Sequence, residues 1–344
     1  MDVSDASDSR LANLTQWAME DLGFAGATIA AASADASFRR YFRVTQGEES
    51  YIVMDAPPDK EDSSPFLHVA RILGGLDLNV PIILARDMQR GFLLLSDLGS
   101  RQYLDALGLD GAADDLYADA LDSLRTMQTA DARISHALPR YDRALLVREM
   151  ELLPEWFLVR HLGLTLAAPE RAMLTRLFDS LVAAAVAQPA CFVHRDYHSR
   201  NLLVTSENNP GILDFQDAVR GPVTYDLASL LKDCYIAWPP ARVRQWVLQY
   251  RESLLEAGFN LDADAAQFMR WFDLMGLQRH IKVLGIFARL FYRDGKSQYL
   301  HDLPRVLAYV RDTALSYPET AAFADFIVGR IDPKFQGAQQ GALA

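Results

Sequence analysis

At 344 residues, with 50% hydrophobic and 23% charged side chains, the chain is long enough to bury one large core or two modest ones. Its formal net charge of -11 argues against bulk nucleic-acid binding, which requires a basic face. Cys191 and Cys234 are the only cysteines, which excludes a disulfide framework and a cysteine-rich zinc site and fits a reducing compartment.

The acidic opening Met1-Asp-Val-Ser-Asp-Ala-Ser-Asp8 lacks the apolar segment of a secretory signal. Leu11, Leu14, Trp17, Ala18 and Leu22 then recur at helical spacing. Residues 28–32, 38–44, 51–54, 82–85 and 92–95 read as strands. One helix interrupts them, starting near Pro65 after the cap-like Ser63-Ser64, with Phe66, Val69, Ala70 and Leu73 on one side. After Ser96-Asp-Leu-Gly99 the pattern turns mainly helical, over 116–127, 143–162 and 171–187, with further helices to about Arg330. The apolar run from Leu181 to Ala187 is too short to cross a bilayer, so a cytoplasmic protein with no membrane partner is expected. The fold class that follows is α+β. Residues 1–95 form an N-terminal lobe, 96–100 a hinge, 101–335 a larger, mainly helical lobe, and 336–344 a frayed tail.

The chemistry concentrates in Cys191-Phe-Val-His-Arg-Asp-Tyr-His-Ser-Arg-Asn-Leu-Leu-Val204 and, after the turn Ser206-Glu-Asn-Asn-Pro210, in Gly211-Ile-Leu-Asp-Phe215. Phosphoryl transfer from ATP to an alcohol needs a base for the hydroxyl and oxygen ligands for Mg²⁺. Asp196 supplies the base; the Asn201 amide, five positions on, and the Asp214 carboxylate supply the metal ligands. Short apolar strands flank the turn, a hairpin that would bring Asn201 and Asp214 close together. H-x-D triplets occur by chance, whereas H-x-D-x-x-x-x-N joined by a hairpin to L-D-F is a compound match.

With a five-stranded lobe, a connector and a helical lobe holding both motifs, the chain resembles the protein-kinase-like two-lobe fold. Asp214-Phe-Gln216 in place of D-F-G, and Gly221-Pro-Val-Thr-Tyr-Asp-Leu-Ala228, are similar to the aminoglycoside phosphotransferase and choline kinase superfamily. The phrases Ser33-Ala-Asp-Ala-Ser-Phe-Arg-Arg-Tyr-Phe42, Val53-Met-Asp-Ala-Pro57, Val193 to Asn201, Leu213 to Ala218 and Gly276-Leu-Gln-Arg-His-Ile-Lys282 resemble its branch that phosphorylates the anomeric hydroxyl of N-acetylmuramate and N-acetylglucosamine in bacterial cell-wall recycling. This resemblance runs from about Leu11 to Arg311. It implies a kinase dependent on ATP and Mg²⁺ whose partner is a small amino sugar. It also implies that Asp226 braces the catalytic loop, that Ser96 and Leu98 offer main-chain hydrogen bonds to adenine, and that Leu203 and Leu213 line its apolar floor. His198 would face the transferred phosphate or the acceptor, with Arg200 on the acceptor side. A kinase of another small alcohol, such as an aminoglycoside or choline, and a nucleotide-binding pseudokinase scaffold stay open as alternatives.

One departure stands out. Kinases of this kind carry a third-strand lysine on the α- and β-phosphates, but here that strand reads Tyr51-Ile-Val-Met54, with Met54 in the lysine position. Lys60 lies in a loop where Pro57 and Pro58 preclude a strand. Alternation along the second strand puts Arg39, Tyr41 and Arg43 on one face and Phe38, Arg40, Phe42 and Val44 on the other. The second face is the more apolar and is expected to pack. That leaves Arg39 for the phosphates, Tyr41 toward the adenine, and Arg43 as the next candidate cation; the competing reading is three exposed arginines on a half-buried sheet. The turn from Ser33 to Ser37 has no glycine and resembles the serine-containing phosphate loop of aminoglycoside kinases, with Ser37 as a donor.

Gly295-Lys-Ser297 imitates the end of a P-loop, but Leu290 stands where the first glycine belongs. His194 and His198, two apart in a loop with no third soft ligand, make no metal pair, and His194 reads as structural. Arg279, Lys282, Arg289 and Arg293 fall near one face of an otherwise apolar helix, either as a solvated stripe or with Arg279 and Lys282 on an anionic group of the acceptor.

Overall fold

The computed structural model describes residues 3–34, 38–108 and 113–342. They divide into two compact units, Met1–Arg101 with Leu202–Asp217, and Gln102–Asn201 with Ala218–Ala344. The strands are β1 (Thr28–Ala34), β2 (Arg40–Gln46), β3 (Glu49–Asp55), β4 (Ile83–Asp87), β5 (Phe92–Ser96), β6 (Ala190–Val193), β7 (Leu202–Leu203), β8 (Gly211–Ile212) and β9 (Val219–Pro222).

In the first unit, β1 to β5 form one antiparallel sheet in the order β1-β2-β3-β5-β4. Two helices, α1 (Val3–Gln16) and α2 (Ser64–Gly74), accompany it. Alternation fixes the packing. Phe42, Val44, Val53, Phe92 and Leu94 meet Leu14 and Trp17 in one apolar cluster, while Tyr41 and Arg43, in register with Met54 and Ile52, lie on the opposite face. That division of β2 matches the sequence expectation except at its start. The strand begins at Arg40, so the alternation does not extend to Phe38, which is 64% exposed instead of packed.

The end of β3 carries a fully buried carboxylate, Asp55. Arg10 Nε donates to one of its oxygens and Arg40 Nε to the other, each at 3.0 Å. A buried carboxylate is tolerated only when paired in this way. Asp55 thus ties β2, β3 and the first helix together, and the Arg40 guanidinium also lies 5.5 Å from the Phe42 ring centroid. α2 opens with Pro65 at its first turn and buries Phe66, Val69, Ala70 and Leu73, as the sequence predicts. Phe66 stacks on Phe215 at 4.9 Å, which anchors the exit of the β7–β8 hairpin in this unit.

The second unit holds β6 paired with β9 and the helices α3 (Tyr103–Leu107), α4 (Ala113–Thr129), α5 (Ala132–His136), α6 (Arg143–Met150), α7 (Ala168–Val186), α8 (Tyr225–Leu231), α9 (Pro240–Glu256), α10 (Ala265–Asp294), α11 (Leu303–Ser316), α12 (Ala321–Phe326) and α13 (Asp332–Ala342). The helix expected over 143–162 is interrupted after Met150 and resumes as the wider π-helical turns Leu153–His161, where Pro154 lacks the N–H of a regular ladder. α10, the longest element, packs closely on this segment. A Cβ on Gly285 would stand 2.4 Å from the Leu152 carbonyl carbon, so only glycine permits the approach. The segment expected to fray from Gln336 is helical to Ala342, continuing from Ile331 and Phe335, which are buried one turn apart. Among the described residues no helix is long and apolar enough to cross a membrane.

Asp55→Asn and Arg40→Ala should both lower the thermal midpoint, by about 1.5–3 kcal/mol in stability for each charge-assisted bond lost. Asp59→Asn, at an exposed side chain, serves as the control. Unchanged melting of both variants in differential scanning calorimetry would show that the Asp55 pairs do not hold the sheet.

Candidate active site

β6 ends at the fully buried Val193 and releases the loop 194–201, every part of which is fastened within its own unit. The main-chain N–H groups of His194 and Arg195 donate to the two oxygens of Asp226, at 2.6 and 2.9 Å. Asp226 is fully buried in the first turn of α8, the bracing position that the family resemblance assigns to it. Farther along, Ser199 N–H donates to Asp233 at 2.9 Å, and Asn201 Nδ2 donates to the Asp196 carbonyl oxygen at 2.9 Å. Arg195 takes a left-handed backbone conformation, φ 79°. Its side chain turns inward to pair with Glu149.

Glu149, on α6, was not legible as a site residue. It is 6% exposed and accepts from Tyr141 Oη and Arg195, while Lys282 Nζ lies at 3.3 Å. Lys282 also donates to Tyr225 Oη at 3.1 Å. The one available signal was position: Glu149 stands three residues after Leu146 and one before Met150, on a face that is otherwise apolar. Lys282 and Arg279, 6% and 4% exposed, are not part of a solvated stripe. Burial pushes the Asp196 carboxyl up, but the permanent cations Lys282, Arg195 and Arg279 outweigh it and hold the group below the usual carboxylate range. Asp196 is therefore ionised at neutral pH. His198, its ring 5.4 Å from that of Tyr235, is kept neutral, chiefly by burial. The Arg200 guanidinium lies 3.7 Å over the Tyr235 ring.

The remaining expected residues belong to the first unit, except Ser37, which lies outside the described residues. Arg39 is 7% exposed and pairs with Glu61 at 3.2 Å, a buried arginine beside a carboxylate that precedes α2. Arg43 is committed elsewhere. Its Nε and Nη2 meet Asp97 at 2.5 and 3.1 Å, and Nη2 donates to Gly99 O at 3.0 Å, which removes it as a candidate phosphate cation. Ser96 N–H donates to Ile82 O at 2.9 Å, so a main-chain bond from Ser96 to adenine would fall to its carbonyl oxygen. Leu98 Cδ1 and Leu203 Cβ lie 3.2 and 3.4 Å from the point where a Cβ on Gly211 would stand, so both adjoin one apolar spot, with Leu213 half-buried two residues on. Tyr41 is half-buried on the sheet face shared with Met54.

Asp214 adopts a left-handed φ of 61°, and Gln216 Nε2 donates to its Oδ1 at 2.6 Å. A non-glycine residue held there carries strain of a kind that clusters at functional sites. Among the described residues no group of three or more His, Cys, Asp and Glu could cage a metal. The Asp214 carboxylate and the Asn201 amide are each oxygen donors of the kind that a hard cation such as Mg²⁺ takes alongside phosphate oxygens and water.

A sequence profile of the phosphotransferase enzyme family matches residues 28–268. The N-acetylmuramate/N-acetylglucosamine kinase of Pseudomonas putida is 46% identical over 330 residues, covering 93% of this chain and 96% of its own. That of Pseudomonas aeruginosa is 50% identical over 296 residues, 86% of each chain. Among solved structures, an ADP-bound aminoglycoside phosphotransferase superimposes with a TM-score of 0.58 at 16% identity, over 88% of this chain and 98% of that one, a likeness of fold.

Lys282→Met should move the acid limb of a kcat/KM pH profile to higher pH, because removing the largest positive influence on Asp196 lets its carboxyl rise. An unmoved limb would mean that Lys282 does not set the ionisation of this carboxylate.

Proposed function

This chain belongs to the phosphotransferase enzyme family, and we propose that it is a kinase that transfers a phosphoryl group from ATP to the anomeric hydroxyl of N-acetylmuramate and N-acetylglucosamine. The observation that carries the reading is the pair of relatives at 46% and 50% identity that bear that name, over a chain whose H-x-D-x-x-x-x-N and L-D-F residues are complete. ADP in a structural relative supports nucleotide use.

In this reading Asp196 orients the sugar hydroxyl and accepts its proton, and the Asp226 clamp fixes where that carboxylate stands. Asn201 and Asp214 would hold Mg²⁺, which when bound neutralises phosphate charge. Arg39, paired with Glu61, takes the part of the absent strand lysine, since in kinases that lysine also works beside a carboxylate. Leu98 and Leu203 would receive the adenine. Phosphoryl transfer asks chiefly for positioning and charge, which these residues supply.

An ADP-release assay with N-acetylmuramate, N-acetylglucosamine, choline and kanamycin tests the substrate: release with the two amino sugars is expected, and release with choline or kanamycin alone would reassign it. Silence with all four would favour a pseudokinase. Asp196→Asn should keep nucleotide binding and lose roughly 10²–10⁴ in kcat. Arg39→Ala should raise KM for ATP and lower kcat, about ten- to a hundredfold in kcat/KM, while leaving sugar affinity nearly unchanged. A silent Arg39 would send the search for the phosphate cation elsewhere.

A further inference from the structure

Arg279 is a buried guanidinium with little to answer its charge. Its hydrogen-bond acceptor among the described residues is the Cys234 sulfur, 3.3 Å from Nη1. That sulfur is neutral, because burial pushes the Cys234 thiol up to about 11. The neighbouring cations are treated differently. Lys282, three residues along α10, has Glu149 and the Tyr225 hydroxyl, and Arg195 shares the same Glu149 carboxylate. Glu149 thus answers two cations, and no ion pair to Arg279 is formed among the described residues. Burying a charge without a partner is costly, so a fold that keeps one has another use for it.

The surroundings indicate what that use is. Arg279 holds Cys234, whose neighbour Asp233 accepts the Ser199 N–H, and Lys282, three residues along the helix, meets the Glu149 that pairs with Arg195, so the guanidinium stands beside the loop that carries the proposed base. His198, two residues past Asp196, lies within the field of both Arg279 and Asp196, and its buried Nδ1 has no hydrogen-bond partner among the described residues. An arginine with unused donors and a neutral imidazole nitrogen together suit a planar carboxylate.

We propose that Arg279, with His198 beside it, is the subsite for a carboxylate carried by the acceptor sugar, so that this guanidinium separates the acid sugar N-acetylmuramate from the neutral N-acetylglucosamine. Lys282, whose charge Glu149 already answers, positions Asp196 and does not grip the sugar. The proposal rests on the amino-sugar kinase reading, and binding is measured apart from turnover so that the two can fail separately.

The full chain, as wild type and as Arg279→Gln, is titrated calorimetrically with N-acetylmuramate, with its neutral lactyl carboxamide and with N-acetylglucosamine; kcat and KM are then measured on the two natural sugars. The wild type is expected to prefer the acid over the carboxamide. Arg279→Gln should lose about ten- to a hundredfold in affinity for N-acetylmuramate and less than about threefold in affinity for N-acetylglucosamine, whereas any loss of kcat through its effect on Asp196 should fall on both sugars alike. Arg279→Lys keeps the charge without the paired donors and should show a smaller loss of the same kind; it decides the matter if Arg279→Gln fails to fold. Equal losses of affinity for both sugars would overturn the proposal, as would a wild type that binds acid and carboxamide alike. Preferential binding of the acid without ADP release would instead sink the kinase reading and leave the carboxylate subsite standing.

Discussion

Two consecutive main-chain N–H groups, those of His194 and Arg195, end on one buried carboxylate, and the loop that follows depends on that grip. Arg195 sits in the left-handed region, a conformation that costs a non-glycine residue about 1–3 kcal/mol unless its surroundings over-determine it. The two bonds to Asp226 do so. The turn they impose carries the Arg195 side chain inward to Glu149 and leaves Asp196 at the head of the loop. Asp233, two residues beyond α8, takes the Ser199 N–H, and the Asn201 amide closes back on the Asp196 carbonyl. A loop with no regular structure is thereby fastened at both ends and in its middle, which suits a reaction in which placement supplies most of the rate.

The electrostatics around Asp196 run against the net charge of the chain. At -11 overall, the protein still gathers Arg195, Arg279 and Lys282 about one carboxylate. Holding the Asp196 carboxyl below the usual range keeps it ionised at the expense of basicity. For a phosphoryl transfer with a loose transition state, an ionised carboxylate that orients the hydroxyl serves better than a strong base that is partly protonated. Glu149 keeps this arrangement from being purely repulsive.

What the sequence disclosed was local. The H-x-D-x-x-x-x-N spacing, the L-D-F after a hairpin, the buried stripe of α2 and the alternation of β2 are all written within a few residues, and each appears in the structure. What stayed hidden were pairings between segments far apart in the chain. Glu149 meets Arg195 and Lys282 across 46 and 133 positions, differences of the residue numbers themselves, and nothing local marks such partners. Arg39 was selected by alternation along a strand that starts one residue later, and its burial beside Glu61 follows from loop geometry and not from strand periodicity. Which main-chain group of Ser96 can meet adenine is likewise set by the pairing of its N–H with Ile82, fourteen positions away, and not by any local pattern.

The close approach of α10 to Leu152 bears on any effort to engineer this protein for heat resistance. A glycine inside a long helix invites replacement by alanine, a change worth about 1 kcal/mol in helix propensity at an open site. At Gly285 the added methyl would stand 2.4 Å from the Leu152 backbone, so the helix itself would have to give. Lys282 lies three residues away on that helix, and Arg279 a further three. A substitution chosen to stiffen the scaffold would therefore be felt first around Asp196, the carboxylate proposed as the base, through a glycine remote from it in the chain.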